Sequence, residues 1–268
     1  MTELIFMEGV SGVGKSTMTR MLAEELTAEG HTVRAYLEFD FTNPIDFYCT
    51  AYLTAGEYAA LCREYPEEAD KLRRYTIHAG EAELVRYFDE DTPLFPEPLL
   101  TVLRGYEFCY HPKRLVSLEA YTEAYRHVWR NFAAGLDGTY DYILFDGSLL
   151  HHPINDMMRN YGCPGETALG HVSVLLAALG DCKRRIFYLE PENIGMQLAV
   201  AHRDRGQAEP DEQQIAFWER RCANDHYVLD RIREDRTVYN VTKQGWDNVR
   251  QQIRCRLTDR GTGHGIFL

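Results

Sequence analysis

One short segment near the N-terminus combines residue types that can hold a phosphate. It reads Gly9-Val10-Ser11-Gly12-Val13-Gly14-Lys15-Ser16-Thr17. This run satisfies the phosphate-loop pattern, which is a glycine, any four residues, and then glycine, lysine and serine or threonine. Glycines let the backbone curl so that successive N–H groups point at one anion, and the start of a following helix adds partial positive charge. The segment therefore predicts a cup for nucleotide phosphates.

The side chains that close the segment have separate expected roles. Lys15 would reach the β- and γ-phosphate oxygens as a point charge, and the hydroxyl of Ser16 would ligate the Mg²⁺ that bridges them. ATP and Mg²⁺ are the expected cofactors, although the sequence does not distinguish ATP from GTP. The other residues expected to bind the nucleotide are Gly9, Ser11, Gly12, Val13, Gly14 and Thr17.

Three acidic residues follow apolar runs that are typical of strands. Asp146 closes the run 142–145, where an acid can hold Mg²⁺ or orient a substrate hydroxyl; the alternative is a helix cap. Glu38 and Asp40 follow the second predicted strand, at 32–37. Alternation places both on one face, so we expect them to share a site. One of the two, which the sequence leaves open, would accept the proton of an attacking hydroxyl. A solvated strand end is the alternative.

A cluster of cations ends a predicted helix, at Arg203-Asp204-Arg205-Gly206. Phosphoryl transfer builds charge on phosphate oxygens, and arginine suits them because its guanidinium is a planar fork. We expect Arg203 and Arg205 to close over the nucleotide, with Gly206 as a hinge. Both can reach a ligand only if the helix unwinds near Arg203, since residues two apart do not share a helical face. A solvated helix end is the alternative.

Strand and helix signals alternate at both ends of the chain, which is the pattern of a parallel sheet with crossover helices. The predicted fold class is therefore α/β: a P-loop NTPase fold with helices on both faces of the sheet. One domain is expected over residues 1–258, followed by a flexible tail at 259–268.

The strand signal disappears between about residues 41 and 135. More than half of the tyrosine, phenylalanine and tryptophan residues lie there, and a proline-punctuated loop at 91–98 divides the segment. The pattern predicts a large helical insertion. Its aromatic rings either form the core of a subdomain or wall a pocket for a flat or apolar ligand.

Net charge, cysteine content and apolar runs limit the binding partners and the cellular compartment that we expect. The formal net charge is −12, so no global basic field attracts nucleic acid or an anionic membrane. Seven scattered cysteines fit a reducing compartment, and no run approaches the about 18 apolar residues of a membrane span. We expect a cytoplasmic protein that binds a small-molecule acceptor, and a homodimer is left open.

Taken in order, these segments resemble the P-loop nucleoside and nucleotide kinases, which include thymidylate kinase and the deoxynucleoside kinases. Residues 6–17 are similar to the thymidylate kinase opening. Residues 187–192 and 203–206 resemble the strand and the lid of deoxynucleoside kinases. The resemblance implies that Glu38 is the base for a sugar hydroxyl and that the insertion binds substrate.

The chain departs from that group after the central strand. The group carries an acid, an arginine and often a serine there, whereas this sequence has Asp146-Gly147-Ser148. The missing arginine disfavours a nucleoside monophosphate as acceptor and favours an uncharged hydroxyl compound. Antibiotic-modifying enzymes such as chloramphenicol phosphotransferase share the same core and would also fit.

Three other assignments fit less well. A GTPase needs an aspartate in its base-reading motif, where this chain has Gly245. The run 202–204 matches a protein-kinase motif by coincidence, because Glu209 stands where the asparagine is required. His151 and His152 are adjacent, and adjacent histidines rarely converge on one metal ion.

The expected function is ATP-dependent transfer of the γ-phosphoryl group to a hydroxyl of a nucleoside-like or aromatic natural-product acceptor, which is a kinase activity. The rival is a P-loop ATPase coupled to a protein partner through the insertion. Ser16 and Asp146 are the expected metal ligands. The residues expected to carry catalysis are Lys15, Glu38, Asp40, Asp146, Arg203 and Arg205.

Overall fold

The computed structural model describes residues 2–258, so the expected tail at 259–268 lies outside the described residues. The strands are β1 (Glu3–Gly9), β2 (Val33–Tyr36), β3 (Thr50–Thr54), β4 (Thr76–Ala79), β5 (Ala82–Arg86), β6 (Phe88–Asp89), β7 (Thr92–Pro93), β8 (Tyr142–Asp146), β9 (Lys183–Glu190) and β10 (Asp235–Asn240). The helices are α1 (Lys15–Ala28), α2 (Ala55–Glu64), α3 (Ala69–Arg74), α4 (Glu97–Gly105), α5 (Leu118–Ala134), α6 (His151–Tyr161), α7 (Gly165–Ala178), α8 (Ile194–Asp204), α9 (Glu212–Leu229), α10 (Val241–Gln244) and α11 (Trp246–Thr258).

Five parallel strands form the central sheet in the order β10-β9-β1-β8-β2. Parallel neighbours need crossover connections, which the helices between the strands supply. The order sets β1 between β8 and β9, with Met7 opposite Asp146 and Gly9 opposite Leu189. The loops that follow these strands therefore meet at the carboxyl edge, where open α/β sheets bind ligands.

Alternation along β1 builds a core on each face of the sheet. Leu4 and Phe6 belong to one apolar cluster, whereas Ile5 and Met7 belong to the other. The first cluster includes residues of α5, α6, α7 and α9, and the second includes residues of α1 and α11. Every residue of β1 is buried, as expected for a strand covered on both faces. The predicted α/β fold is confirmed. Within residues 2–258, no helix is long and apolar enough to cross a bilayer.

The segment between β2 and β8 differs from the wholly helical insertion that the sequence predicts. It contains α2 to α5, but also an antiparallel sheet in the order β3-β5-β4 and the short pair β6 and β7. The strands of that sheet are four or five residues long, and short helices separate β3 from β4, so each strand gives only a weak alternation signal. We keep the name insertion for residues 41–135.

The longest helix of the insertion packs on the central sheet. Trp129 of α5 is fully buried and stacks on Phe6 of β1, with ring centroids 5.7 Å apart. Tyr121 and Tyr125 of the same helix are buried in the same cluster. Many of the aromatic residues are thus core, as one of the two sequence interpretations expects.

Candidate functional site

The phosphate loop joins β1 to α1 and is held in shape from two sides. Gly12 and Gly14 have φ values of +75° and +93°, which glycine adopts without a steric penalty. On one side α8 packs against Gly12, whose carbonyl accepts a 2.7 Å hydrogen bond from the side-chain amide of Gln197. On the other side the indole nitrogen of Trp246 lies 2.8 Å from the place where a Cβ on Gly14 would stand. The loop therefore has no room for larger residues at these glycines.

The first glycine of the loop makes the closest approach. Gly9 has φ +143°, and a Cβ there would lie 2.1 Å from the carbonyl oxygen of Leu189 on β9. Because that oxygen is backbone, it cannot rotate away. We expect Gly9→Ala to lower the free energy of unfolding by about 3 kcal/mol, since overpacking and backbone strain add. Urea denaturation followed by circular dichroism measures this change.

Gly30 provides the control for that substitution. It also has a positive φ, +91°, but a Cβ there would meet nothing within 4 Å. Gly30→Ala should therefore lower the free energy of unfolding only by the backbone strain of a positive φ, about 1 kcal/mol. Equal losses at the two glycines would show that the contact with Leu189 is unimportant.

The remaining loop residues expected to bind the nucleotide differ in exposure. The side chain of Val13 is buried in the core, so only its backbone can face a ligand. Ser11 and Ser16 are half-buried, and Thr17 is exposed on the first turn of α1. Ser11 also borders the cavity described below.

Lys15 lies buried at the centre of the site. Its Nζ donates a 3.1 Å hydrogen bond to the carbonyl of Val10, so the side chain folds back across the loop. Burial lowers the pKa of Lys15, and the nearby carboxylates of Asp146 and Glu38 partly oppose this. A buried ammonium at the first residue of α1, where the helix start adds partial positive charge, fits the phosphates of a nucleotide.

Asp146 and Glu38 meet beside this lysine. The backbone N–H of Glu38 donates to Oδ2 of Asp146 at 3.3 Å, which ties the chain after β2 to the end of β8. The other carboxylate oxygen of Asp146 is buried and has no hydrogen-bond partner among residues 2–258. Mg²⁺ prefers oxygen ligands, so this carboxylate oxygen suits the expected metal, and the hydroxyl of Ser16 is an oxygen ligand of the right type.

Glu8 has a different role from these acids. Its two carboxylate oxygens accept hydrogen bonds of 2.8 Å from the N–H groups of Leu149 and His151. Burial raises its pKa, against the effect of these hydrogen bonds. Glu8 thus holds the turn between Asp146 and α6 in place.

Asp40 does not share a site with Glu38, contrary to the sequence prediction. The strand ends at Tyr36, and Phe39 adopts φ +65°, so the period-two alternation stops before the two acids. Oδ1 of Asp40 accepts hydrogen bonds from the backbone N–H and the hydroxyl of Thr42, and Oδ2 lies 3.5 Å from Arg34. Glu38 borders the cavity next to the phosphate loop, whereas Asp40 borders a separate surface cavity.

The structure does not bring either predicted arginine to the phosphate loop. Helix α8 stays wound through Asp204, so Arg203 projects from its exposed side and lies 3.7 Å from Glu209. Arg205 caps the helix and is also exposed, and Gly206 follows with φ +66°. The expected unwinding near Arg203 is absent, although α8 itself touches the loop.

A cavity of about 600 Å³ opens beside the loop, within the size range of small-molecule pockets. The core of the fold and the insertion both contribute to its wall. Its lining includes Ser11, Glu38, Phe39, Tyr48, Tyr110, His111, His151, His152, Asn155, Asp156, Arg159, Gln207 and Trp218.

Aromatic rings form one side of this cavity. Tyr48 packs edge-on against Phe39 and Tyr110, at centroid distances of 5.0 and 5.3 Å. Trp218 of α9, which also lines the cavity, stacks on His151 at 5.5 Å. Some aromatic residues of the insertion thus border a cavity while others are core, so each of the two sequence interpretations describes part of the segment.

A buried ion pair lies in the wall of the cavity. Oδ2 of Asp46 is 2.9 Å from Nδ1 of His152, and the hydroxyl of Tyr110 donates to Oδ1 of Asp46 at 2.9 Å. Burial alone would lower the pKa of His152, but the Asp46 carboxylate raises it to about 9. His152 is therefore an imidazolium at neutral pH.

The second ring nitrogen of His152 has no hydrogen-bond partner among residues 2–258. This atom, Nε2, is buried, and a Cβ on Gly147 would lie 3.3 Å from it. A protonated Nε2 beside the turn after Asp146 is a positive hydrogen-bond donor. It places one cation in the wall of the cavity that Ser11 of the loop also borders, whereas the two predicted arginines are not found there.

Sequence reasoning missed several residues of the site because they come from distant segments. Asp46 and His152 are far apart in the chain, and only folding makes them a pair. Gln197 and Trp246 contact the phosphate loop from α8 and α11. The sequence of each helix indicates a buried face but not what that face packs against. The adjacent residues His151 and His152 stand out in the sequence, but only as candidate metal ligands and not as members of an ion pair.

Comparison with known proteins adds little. No protein-family model and no curated protein sequence matches the chain. Among solved structures it is similar to EHV4-TK complexed with TP5A, with 16% identity and a TM-score of 0.28 over 80% of this chain and 55% of that one. It is also similar to cobyrinic acid a,c-diamide synthase from Mycobacterium smegmatis with bound ADP and magnesium, with 13% identity, a TM-score of 0.29 and 97% of both chains covered.

The chain spans just over half the length of the first of these structures. With TM-scores this low, the fold assignment rests on the strand order and the phosphate loop of the chain itself.

Proposed function

We propose that the protein is an ATP-dependent small-molecule kinase, which transfers the γ-phosphoryl group to a hydroxyl of an acceptor. The observation that carries this proposal is the cavity that runs from Ser11 of the phosphate loop past Glu38 to the aromatic side chains of the insertion. A molecule in it would lie next to the end of the triphosphate. Proximity of this kind is the main requirement of phosphoryl transfer.

The chain's own groups supply the rest of the chemistry. The backbone of residues 9–17 and the ammonium of Lys15 would bind the phosphates. The Glu38 carboxylate would accept the hydroxyl proton as the new O–P bond forms and the bond to the ADP oxygen breaks. When bound by Ser16 and Asp146, Mg²⁺ would neutralise charge on the transferring group. His152 would add a second cation near the turn after Asp146.

The acceptor is proposed to be uncharged and partly flat, as a nucleoside or an aromatic natural product is. The side chains of Phe39, Tyr48 and Tyr110 offer ring faces and edges for a flat group. Glu38 and Asp156 border the same cavity, and burial raises the pKa of Asp156 to about 6. The cations of Arg159 and His152 belong to the same lining and offset these two carboxyl groups, so the preference for an uncharged, flat acceptor rests on the aromatic rings.

The experiment is a coupled assay of ADP release with Mg-ATP and a panel of nucleosides, nucleoside monophosphates, sugars and aromatic natural products. We expect at least one uncharged hydroxyl compound to stimulate release. If Glu38 is the base, Glu38→Gln should lower kcat by about 10²- to 10⁴-fold while the affinity for ATP changes little. Asp40→Asn tests the other acid, and its kcat should fall far less because Asp40 faces Arg34 and Thr42.

Two outcomes would contradict the proposal. If no compound of the panel stimulates ADP release above the rate with ATP alone, an ATPase that acts on a protein partner becomes the better assignment. If Asp40→Asn lowers kcat more than Glu38→Gln does, the base has been assigned to the wrong residue.

A further inference from the structure

Three side chains with metal-binding atoms converge between the end of β9 and α9. Glu190 ends β9, and Cys222 and His226 lie one turn apart on α9. The ligand atoms of all three lie within 4.8 Å of one another. Among residues 2–258, this is the one group of three or more such side chains that is close enough to hold an ion.

Hydrogen bonds hold the three side chains close to one another. Nε2 of His226 is 2.6 Å from Oε2 of Glu190, so one proton lies between them. The hydroxyl of Tyr188 lies 3.7 Å from Sγ of Cys222 and donates to Asp225 at 2.8 Å. The imidazole, the carboxylate and the thiol thus already face one another before any ion is bound.

The residue types select the kind of ion. A thiolate, an imidazole and a carboxylate are the ligands of zinc and related transition metals, whereas Ca²⁺ and Mg²⁺ take oxygen. The two helical ligands share one face because they are four residues apart. The side chains of His226 and Glu190 are 39% and 21% exposed, so an ion has a path from solvent.

We propose that Glu190, Cys222 and His226 form a site for a zinc-like divalent metal ion, with water as the fourth ligand. Binding forms bonds from the ion to Sγ, Nε2 and a carboxylate oxygen. The thiol proton of Cys222 and the proton between His226 and Glu190 leave to solvent. Three protein ligands and an open fourth position resemble the coordination of catalytic rather than structural zinc.

The site would cross-link the end of β9 to α9. Trp218 lies one turn before Cys222 on that helix and stacks on His151 in the cavity wall. A bound ion would therefore fix the helix that forms one side of the cavity. This inference does not depend on the proposed kinase activity.

Cobalt substitution tests the site directly. Purified protein is titrated with Co²⁺, and we expect one ion per chain with the thiolate charge-transfer and tetrahedral d–d absorption bands, which Zn²⁺ then abolishes. Cys222→Ser should remove the charge-transfer band, and His226→Gln should weaken binding by more than about 100-fold. Cys182→Ser is the control and should leave the spectrum unchanged, because Cys182 is half-buried outside the three-residue group.

A second measurement uses the unmodified protein and so avoids variants that fail to fold. Alkylation of Cys222, located by peptide mass spectrometry, should slow by at least about tenfold when one equivalent of Zn²⁺ is present. Alkylation of Cys182 should not change. The proposal is overturned if Zn²⁺ fails to protect Cys222, or if Cys222→Ser keeps the cobalt spectrum.

Discussion

Replacing Lys15 with alanine should abolish nucleotide-dependent turnover and leave the fold intact. The ammonium of Lys15 is the one cation that the phosphate loop itself supplies, and it lies buried among backbone groups. Removal of a preorganised charge that stabilises a transition state typically costs about 10²- to 10³-fold in kcat. We therefore expect the rate of ADP release to fall at least that far and binding of Mg-ATP, measured by calorimetry, to weaken with it.

Stability separates this effect from misfolding. Burial lowers the pKa of Lys15, which means that the folded protein disfavours its charged form. Lys15→Ala should therefore keep the melting temperature of the parent protein or raise it. Lys113→Ala removes an exposed lysine far from the loop in sequence and should change neither turnover nor melting. If Lys15→Ala releases ADP at the rate of the parent protein, the phosphate loop is not the nucleotide site.

Breaking the buried pair of Asp46 and His152 should produce the largest loss of stability. Asp46→Asn leaves an imidazole in a buried place without its counter-charge, and removal of one partner of a buried pair typically costs about 3 to 5 kcal/mol. Urea denaturation at pH 6.5 measures the loss. Asp40→Asn is the matched control. It breaks a partly exposed pair with Arg34 and should cost less than about 1 kcal/mol.

The pH dependence of that loss distinguishes a charged pair from simple packing. The pKa of His152 is about 9 in the folded protein and 6.5 in the unfolded chain. Protonated His152 therefore stabilises the fold fully below pH 6.5, and this stabilisation is lost as the pH rises through 9. The pKa of Asp46 is lowered from 3.8, so its share is present above that pH. The parent protein and Asp46→Asn should differ in their free energy of unfolding, and this difference should become smaller by about 3 kcal/mol between pH 6.5 and 9. A constant difference would mean that His152 is not charged.

The parts of the fold that depend on local patterns could be predicted from the sequence. The phosphate loop is a continuous run between a buried strand and an amphipathic helix, so its glycines and Lys15 could be assigned without the structure. Asp146 could be assigned because it ends an apolar run that is typical of a buried strand. The parallel sheet and the helices on its two faces follow from the alternation of strand and helix signals along the chain.

The rest of the site depends on contacts between distant segments. α2, α3 and β4 lie between β3 and β5 in the chain, and neither paired strand has enough residues for a clear pattern. The positive φ of Phe39 is a property of the folded turn, and it separates Glu38 from Asp40. Local spacing also could not show that the Asp46 carboxylate keeps His152 charged.

The hydrogen bond from Gln197 to the carbonyl of Gly12 connects α8 to the phosphate loop. Arg203 is carried on the same helix, so a rotation of α8 that moved its guanidinium inward would strain this bond. Nucleotide binding and the position of the arginine would then be thermodynamically linked. The linkage is reciprocal, because whatever favours the inward arginine alters nucleotide affinity by the same factor.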